Sequence, residues 1–213
     1  MKHILLAVLM ISTLNCKGQK IKTFNTKEMK TFNIQNFEKN KGKQGYINEY
    51  QYKLPDNSDV REFATKAASD NFELRYQREI TKEFNPTKYY FYYYSNGVLI
   101  KEVLDFNNSV VGIKEYDKNG KLIKETDFDK NFKHTFEQIH DIVLKEKKVD
   151  IYDTRQAVAL RHDTPDATIK KYYQIHVLNS KLVGNEWYSQ PDYSFIIDDA
   201  TGKIIKSDEK SKK

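Results

Sequence analysis

An unbroken apolar run at residues 4–11 stands near the start of the chain, behind Lys2 and ahead of the small and polar Ser12, Thr13 and Asn15. It is too short to span a bilayer and has the make-up of a secretory signal peptide, so residues 1–16 are read as an address and not as part of the fold. Residues 17–27 are polar and Lys-rich and read as a tether. A short helix is expected at 32–39, held by Phe32, Ile34 and Phe37. Together these fill 17–45 ahead of a β-rich region at 46–130. Within that region strands are expected at 46–54, 60–65 and 72–84, with Pro55-Asp56-Asn57-Ser58 as a turn, 66–71 as a polar loop and Asn85-Pro86 as the break.

A repeat organises the middle of the chain. Tyr93-Tyr94-Ser95-Asn96-Gly97-Val98-Leu99-Ile100-Lys101-Glu102 recurs as Glu115-Tyr116-Asp117-Lys118-Asn119-Gly120-Lys121-Leu122-Ile123-Lys124-Glu125, with the Asn-Gly pairs 23 residues apart. Asn-Gly is a strong hairpin signal because a primed turn needs positive φ at both central residues, and Asn and Gly tolerate it. Asn96-Gly97 and Asn119-Gly120 are therefore expected to turn two hairpins built from strands at 88–94, 98–106, 110–116 and 121–128. Asn107-Asn108-Ser109 turns the chain between them. One hairpin cannot bury a face alone, so the strands should pair as a meander.

The period changes after residue 128. Thr135 followed by Gln138 has the spacing of a capping box, and Phe136, Ile139, Ile142 and Val143 share one face of an amphipathic helix running to about residue 147. A second short helix is expected at 153–161, capped by Asp153. Strands follow at 171–178 and 193–198, and Asp199-Ala200-Thr201-Gly202 turns into a last strand at 203–206. Residues 179–190 read as a long polar insertion carrying Trp187, either a packed indole or an exposed anchor. The fold class is α+β: mainly antiparallel β-meander and hairpin repeats, with one long amphipathic helix and a small C-terminal helix-plus-sheet module at 131–208. Residues 209–213 are expected to be a Lys-rich, frayed tail.

Composition sharpens this picture. The apolar share is only 38%, yet 15 Tyr and 12 Phe supply large rings, so cores are thin and aromatic. The net charge of +6 is less basic than it looks, because Lys2 and the 206–213 tail carry about half of it. Acidic residues are interspersed through the body, which excludes a nucleic-acid footprint. Cys16 is the sole cysteine, so no internal disulfide can form.

Cys16 directly behind the apolar run resembles the acylation site of bacterial lipoproteins, with Thr13 where their box carries Leu. The resemblance implies a lipid anchor in the cell envelope facing the periplasm, for which two or more acyl chains suffice. Ordinary secretion and an unmodified thiol are the other readings of the same residues. The repeat at 89–128 resembles the MORN-variant proteins labelled antitoxin-like, which are non-enzymatic and in some cases neutralise a partner toxin. Thr135 onward, and above all Asp198 to Lys203, is similar to the PepSY module of secreted bacterial proteins, which implies a small α+β domain with an inhibitory or binding role.

Catalytic chemistry was tested against the residues. His134, Glu137 and His140 are metal-friendly types, but zincin chemistry needs two His at i and i+4 with Glu next to the first, and that spacing is absent. His162, Asp163 and His176 have no local nucleophile motif beside them, and the few glycines form no phosphate-cradling loop. No catalytic residue, metal or cofactor is assigned. Two functional expectations remain. The first is an envelope lipoprotein that binds a protein partner, a toxin or a peptidase, with Tyr92, Tyr94 and Trp187 as candidate surface residues. The second is a structural lipoprotein that contacts cell wall or glycan through a Tyr-rich sheet face.

Overall fold

The computed structural model describes residues 29–44, 46–66 and 74–207; the leader, Cys16, the tether, most of the 66–71 loop and the 209–213 tail lie outside them. Their sequence folds into two antiparallel sheets and two α-helices. The first sheet is a seven-stranded meander in strict chain order: β1 (Glu49–Lys53), β2 (Asp59–Lys66), β3 (Leu74–Thr81), β4 (Thr87–Tyr93), β5 (Leu99–Phe106), β6 (Ser109–Tyr116) and β7 (Leu122–Asp127). Its first layer of cover is α1 (Ile34–Asn40), capped by the Asn33 side chain accepting from the Asn36 N–H. Ahead of α1, residues 29–32 lie across the sheet as a strap: Phe32 N–H donates to the Gly97 carbonyl at 2.8 Å and Leu99 N–H to the Lys30 carbonyl at 3.3 Å.

Strap, helix and sheet enclose an aromatic core. Phe32 stacks on Tyr76 with ring centroids 4.7 Å apart, and Phe37, Phe91, Tyr93, Leu99 and Ile80 fill the space around them. A buried ion pair crosses this core. Arg78 donates through Nε to Glu62 at 2.7 Å and through Nη1 to the Tyr93 hydroxyl at 3.3 Å, while that hydroxyl donates to the Met29 carbonyl. Every member has a partner, which is the condition for keeping charge in a low-dielectric site.

The second unit follows a 3-10 turn at Asp129–Asn131. Helix α2 (Phe136–Lys147) starts with both bonds of the capping box between Thr135 and Gln138, and Phe136, Ile139 and Val143 are its buried residues. It packs on a four-stranded sheet ordered β11 (Lys203–Ser207), β10 (Glu186–Asp198), β9 (Lys171–Val183), β8 (Ala157–Asp163). The core there includes Ile139, Val143, Ile151, Ala159, Ile175 and Ile197. Phe106 and Val111 of the meander belong to the same cluster, and Phe106 stacks on Phe136 at 4.2 Å.

Three expectations are corrected. The helix expected at 153–161 is a turn followed by β8. The Asp153 carboxylate caps the Arg155 N–H, and Ala157 and Ala159 then bury at alternate positions while the backbone pairs along β9, so strand pairing overrides the capping signal. The polar insertion at 179–190 is the outer half of the β9–β10 hairpin, with Trp187 opposite Leu182 and Tyr188 opposite Lys181 around a turn at Gly184. The Asn-Gly turns are not primed. Tyr94 accepts from the Gly97 N–H and donates to the Val98 carbonyl, and only Gly97 has positive φ (82°), the geometry of a three-residue loop with a bulge. Asp117, Gly120 and Lys121 repeat it. The primed turn lies between the repeats, at Asn107 (φ 48°) and Asn108 (φ 64°).

Candidate functional site

Two surfaces hold the residues singled out from the sequence. The first is the outer face of the meander, opposite the strap. Directly paired residues share a face, so Tyr92 lies in a row with Gln77, Phe63, Lys101 and Glu115, and Tyr90 in a row with Glu79, Arg61 and Val103. None of these side chains belongs to either core. Tyr94 sits on the same side, against Arg75.

The rings of this face are already lidded by cations. Lys101 Nζ lies 4.7 Å from the Tyr92 centroid, the Arg61 guanidinium 4.8 Å from Phe63, and the Arg75 guanidinium 5.6 Å from Tyr94. Arg61 is itself held between Glu49 and Glu79, and its hydrogen bond pulls the Glu49 carboxyl below the usual carboxylate range. Burial pushes the Tyr92 hydroxyl up. The Tyr92, Phe63 and Tyr94 rings of this face are thus each paired with a cation of the protein itself.

The second surface is the arm formed by residues 179–192. At their bases β9 is flanked by β8 and β10 by β11, but the arm pairs only with itself, and residues 181–192 are all exposed. Four large apolar side chains sit there: Leu182 (56% exposed), Val183 (61%), Trp187 (41%) and Tyr188 (54%). The arm is braced on the body through Trp187. Its indole meets Phe84 edge-on at 6.1 Å, and the Arg155 guanidinium lies between the two rings, 4.4 Å from Phe84 and 4.9 Å from Trp187.

Asp153 fixes that guanidinium with paired bonds of 2.9 and 2.7 Å, which holds its carboxyl below the usual range. Ser180 adds a bond from its hydroxyl to the Arg155 carbonyl. Phe84 reaches this position from the β3–β4 turn, where its φ is +57° and its carbonyl accepts from the Thr154 N–H. Beside the Asp153–Arg155 pair lies an open, solvent-facing depression of about 480 Å³ lined by Trp187, Leu178, Asn179, Ser180, Gln156 and Asp192.

The remaining sequence candidates are structural. His134 faces Asp199, with Nδ1 2.8 Å from the Asp199 carbonyl, while the Asp199 carboxylate accepts the Lys133 and His134 N–H groups. His140 lies between Asp141 and Asp150. Among the described residues no group of three or more His, Cys, Asp or Glu is placed to hold a metal ion. His162 stacks on Tyr172. Asn96, Gly97, Asn119 and Gly120 make turns, and Cys16 lies outside the described residues.

Sequence reasoning missed the arm and the Arg155 sandwich. Gly184-Asn185 between Lys181-Leu182-Val183 and Glu186-Trp187-Tyr188 is a hairpin signal and was readable as one. Nothing local announces that Phe84 and Trp187, a hundred positions apart, clasp the same guanidinium. No family model, curated protein or solved structure matches the chain.

Proposed function

We propose that this chain is a non-enzymatic cell-envelope lipoprotein that binds another protein, in the manner of an immunity protein or a peptidase inhibitor, and that the β9–β10 arm is its binding element. The observation that carries this reading is the exposure of Leu182, Val183, Trp187 and Tyr188 together on a braced two-stranded arm. Apolar and aromatic residues held rigidly in water mark interaction sites, and Trp and Tyr are the residue types that concentrate binding energy. The lidded rings of the outer sheet face count against a glycan platform, since a sugar stacks on a bare ring. The envelope location rests on the apolar run at 4–11 and on Cys16. Among the described residues no helix is long and apolar enough to cross a membrane. In this reading attachment is through acyl chains on Cys16.

Affinity capture from envelope extracts tests the reading, comparing the intact protein with a Leu182→Ser/Val183→Ser/Tyr188→Ser variant. One stoichiometric protein partner should be held by the first and lost by the second. No partner across several growth conditions, or equal capture by the variant, overturns it. The anchor is tested separately: Cys16→Ala should abolish incorporation of labelled fatty acid, and unchanged labelling would refute the lipoprotein assignment.

A further inference from the structure

We infer that Asn119-Gly120 is a site of intramolecular deamidation in the folded protein, and that the same dipeptide at Asn96-Gly97 is shielded from it. The reaction needs only hydroxide and water. The Gly120 backbone nitrogen, having given its proton to hydroxide, attacks Asn119 Cγ; the Cγ–Nδ2 bond breaks and the amide leaves as ammonia, closing a cyclic succinimide. Water then opens the ring at Cγ to give aspartate, or at the main-chain carbonyl to give isoaspartate. In sum, a neutral carboxamide and water become a carboxylate and ammonium. Glycine favours the step because no Cβ crowds the attacking nitrogen or restricts the backbone beside it.

The two loops hold the reacting groups differently. In the first, the Val98 N–H donates to Asn96 Oδ1 at 3.0 Å, which fixes the carboxamide. The strap covers the glycine: the Phe32 N–H donates to the Gly97 carbonyl at 2.8 Å, and Gly97 is buried. In the second, Asp117 stands where the first has Tyr94, and its carboxylate accepts both the Asn119 N–H and the Lys121 N–H at 2.9 Å. Lys121 is the counterpart of Val98, so the bond that holds Asn96 is drawn away from Asn119. No hydrogen bond reaches the Asn119 carboxamide among the described residues.

Exposure agrees, for Lys118, Asn119 and Lys121 all face water and Gly120 is only half-buried. In both loops the glycine N–H donates at 2.9 Å to the carbonyl three residues back. That bond must open before attack at either site, so it does not separate them. The product alters the sheet's last hairpin. A new carboxylate two residues from Asp117 repels it, and isoaspartate lengthens the backbone of a loop whose bulge fixes its length.

The full-length protein is incubated in mildly alkaline buffer, native and in concentrated guanidinium chloride, and its peptides are mapped by mass with an isoaspartate assay. In the folded protein Asn119 should convert about ten-fold faster than Asn96, the factor that one retained hydrogen bond supplies. In denaturant the two should convert at similar rates, since strap and loop bonds are gone. Asp117→Ala should slow Asn119 in the folded protein, because the Lys121 N–H then returns to its carboxamide. Equal rates at the two sites in the folded protein, conversion of Asn119 only in denaturant, or an Asp117→Ala variant that converts as fast as the parent or faster would overturn the inference.

Discussion

The two repeats carry nearly the same sequence and make nearly the same turn, and both bury the tyrosine ahead of it, yet the leucine after the turn is buried in one and exposed in the other. Leu99 of the first is 1% exposed, and its counterpart Leu122 is 43% exposed. Tyr93 donates its hydroxyl to Met29 inside the core, whereas Tyr116 donates to Glu102 at 2.7 Å. Both hairpins share the Asn-Gly loop with its bulge, so turn chemistry cannot be the cause. The strap at 29–32 crosses the first hairpin, bonded to Gly97 and Leu99, while β7, bearing Leu122, is the sheet's last strand and is exposed along most of its length among the described residues. A repeat thus encodes a shape twice, but burial belongs to whatever happens to cover each copy.

Alkali should disturb both repeats most. Burial raises the hydroxyls of Tyr93 and Tyr116 at equivalent positions, and pushes Tyr52 and Tyr152 up from 10.0 to about 12. The unfolded chain gives up these protons first, so the contribution is whole below pH 10 and is lost as pH rises toward 12. Urea midpoints should fall steeply across that window, and less steeply in Tyr93→Phe and Tyr116→Phe. A midpoint independent of alkaline pH would show that the rings are not packed as described.

Truncating the paired leucines separates the copies next. Leu99→Ala should cost about 3 kcal/mol, by lost transfer energy plus the cavity left behind. Leu122→Ala should stay within about 0.5 kcal/mol, as exposed positions do. Equal losses by chemical denaturation would mean that the strap does not roof the first hairpin.

The glycines give the smallest and finest contrast. Gly97 has φ +82°, and a Cβ there would meet the Phe32 carbonyl oxygen at 2.8 Å, so Gly97→Ala should cost about 2 kcal/mol from left-handed strain and displacement of the strap together. At Gly120, φ +76°, the nearest atom would be Val98 Cγ1 at 3.8 Å, and Gly120→Ala should cost only the conformational part, about 1 kcal/mol. Calorimetric melting of the two variants side by side decides whether the strap contact adds anything.

Much of the fold was legible because its signals are short-range. The Thr135–Gln138 cap, the turn with positive φ at Gly202 and the meander itself each depend on neighbours a few residues apart. The failures share a cause. Asp153 with Gln156 looked like a helix start, but Ala157 and Ala159 gain more by burying against β9 than a short capped helix would return. The Asn-Gly dipeptide suits two loop geometries, and here only the glycine of each pair takes positive φ, which gives the bulged loop in place of the primed turn. Of the candidate surface, Tyr92, Tyr94 and Trp187 were named from the sequence; the cations that lid the first two, and the arm that carries the third, were not.

Taken alone, the amino-acid order determined where most strands begin and turn, and that aromatic rings would make up much of the meander's core. Those properties arise from residues within a turn or two of each other, where backbone sterics and side-chain size act directly. Only the tertiary structure decided which of two like hairpins is roofed, which tyrosines are covered by cations, and that Phe84, Arg155 and Trp187 meet. Burial and charge pairing depend on atoms brought together from distant parts of the chain, and a linear pattern carries no coordinate for that distance.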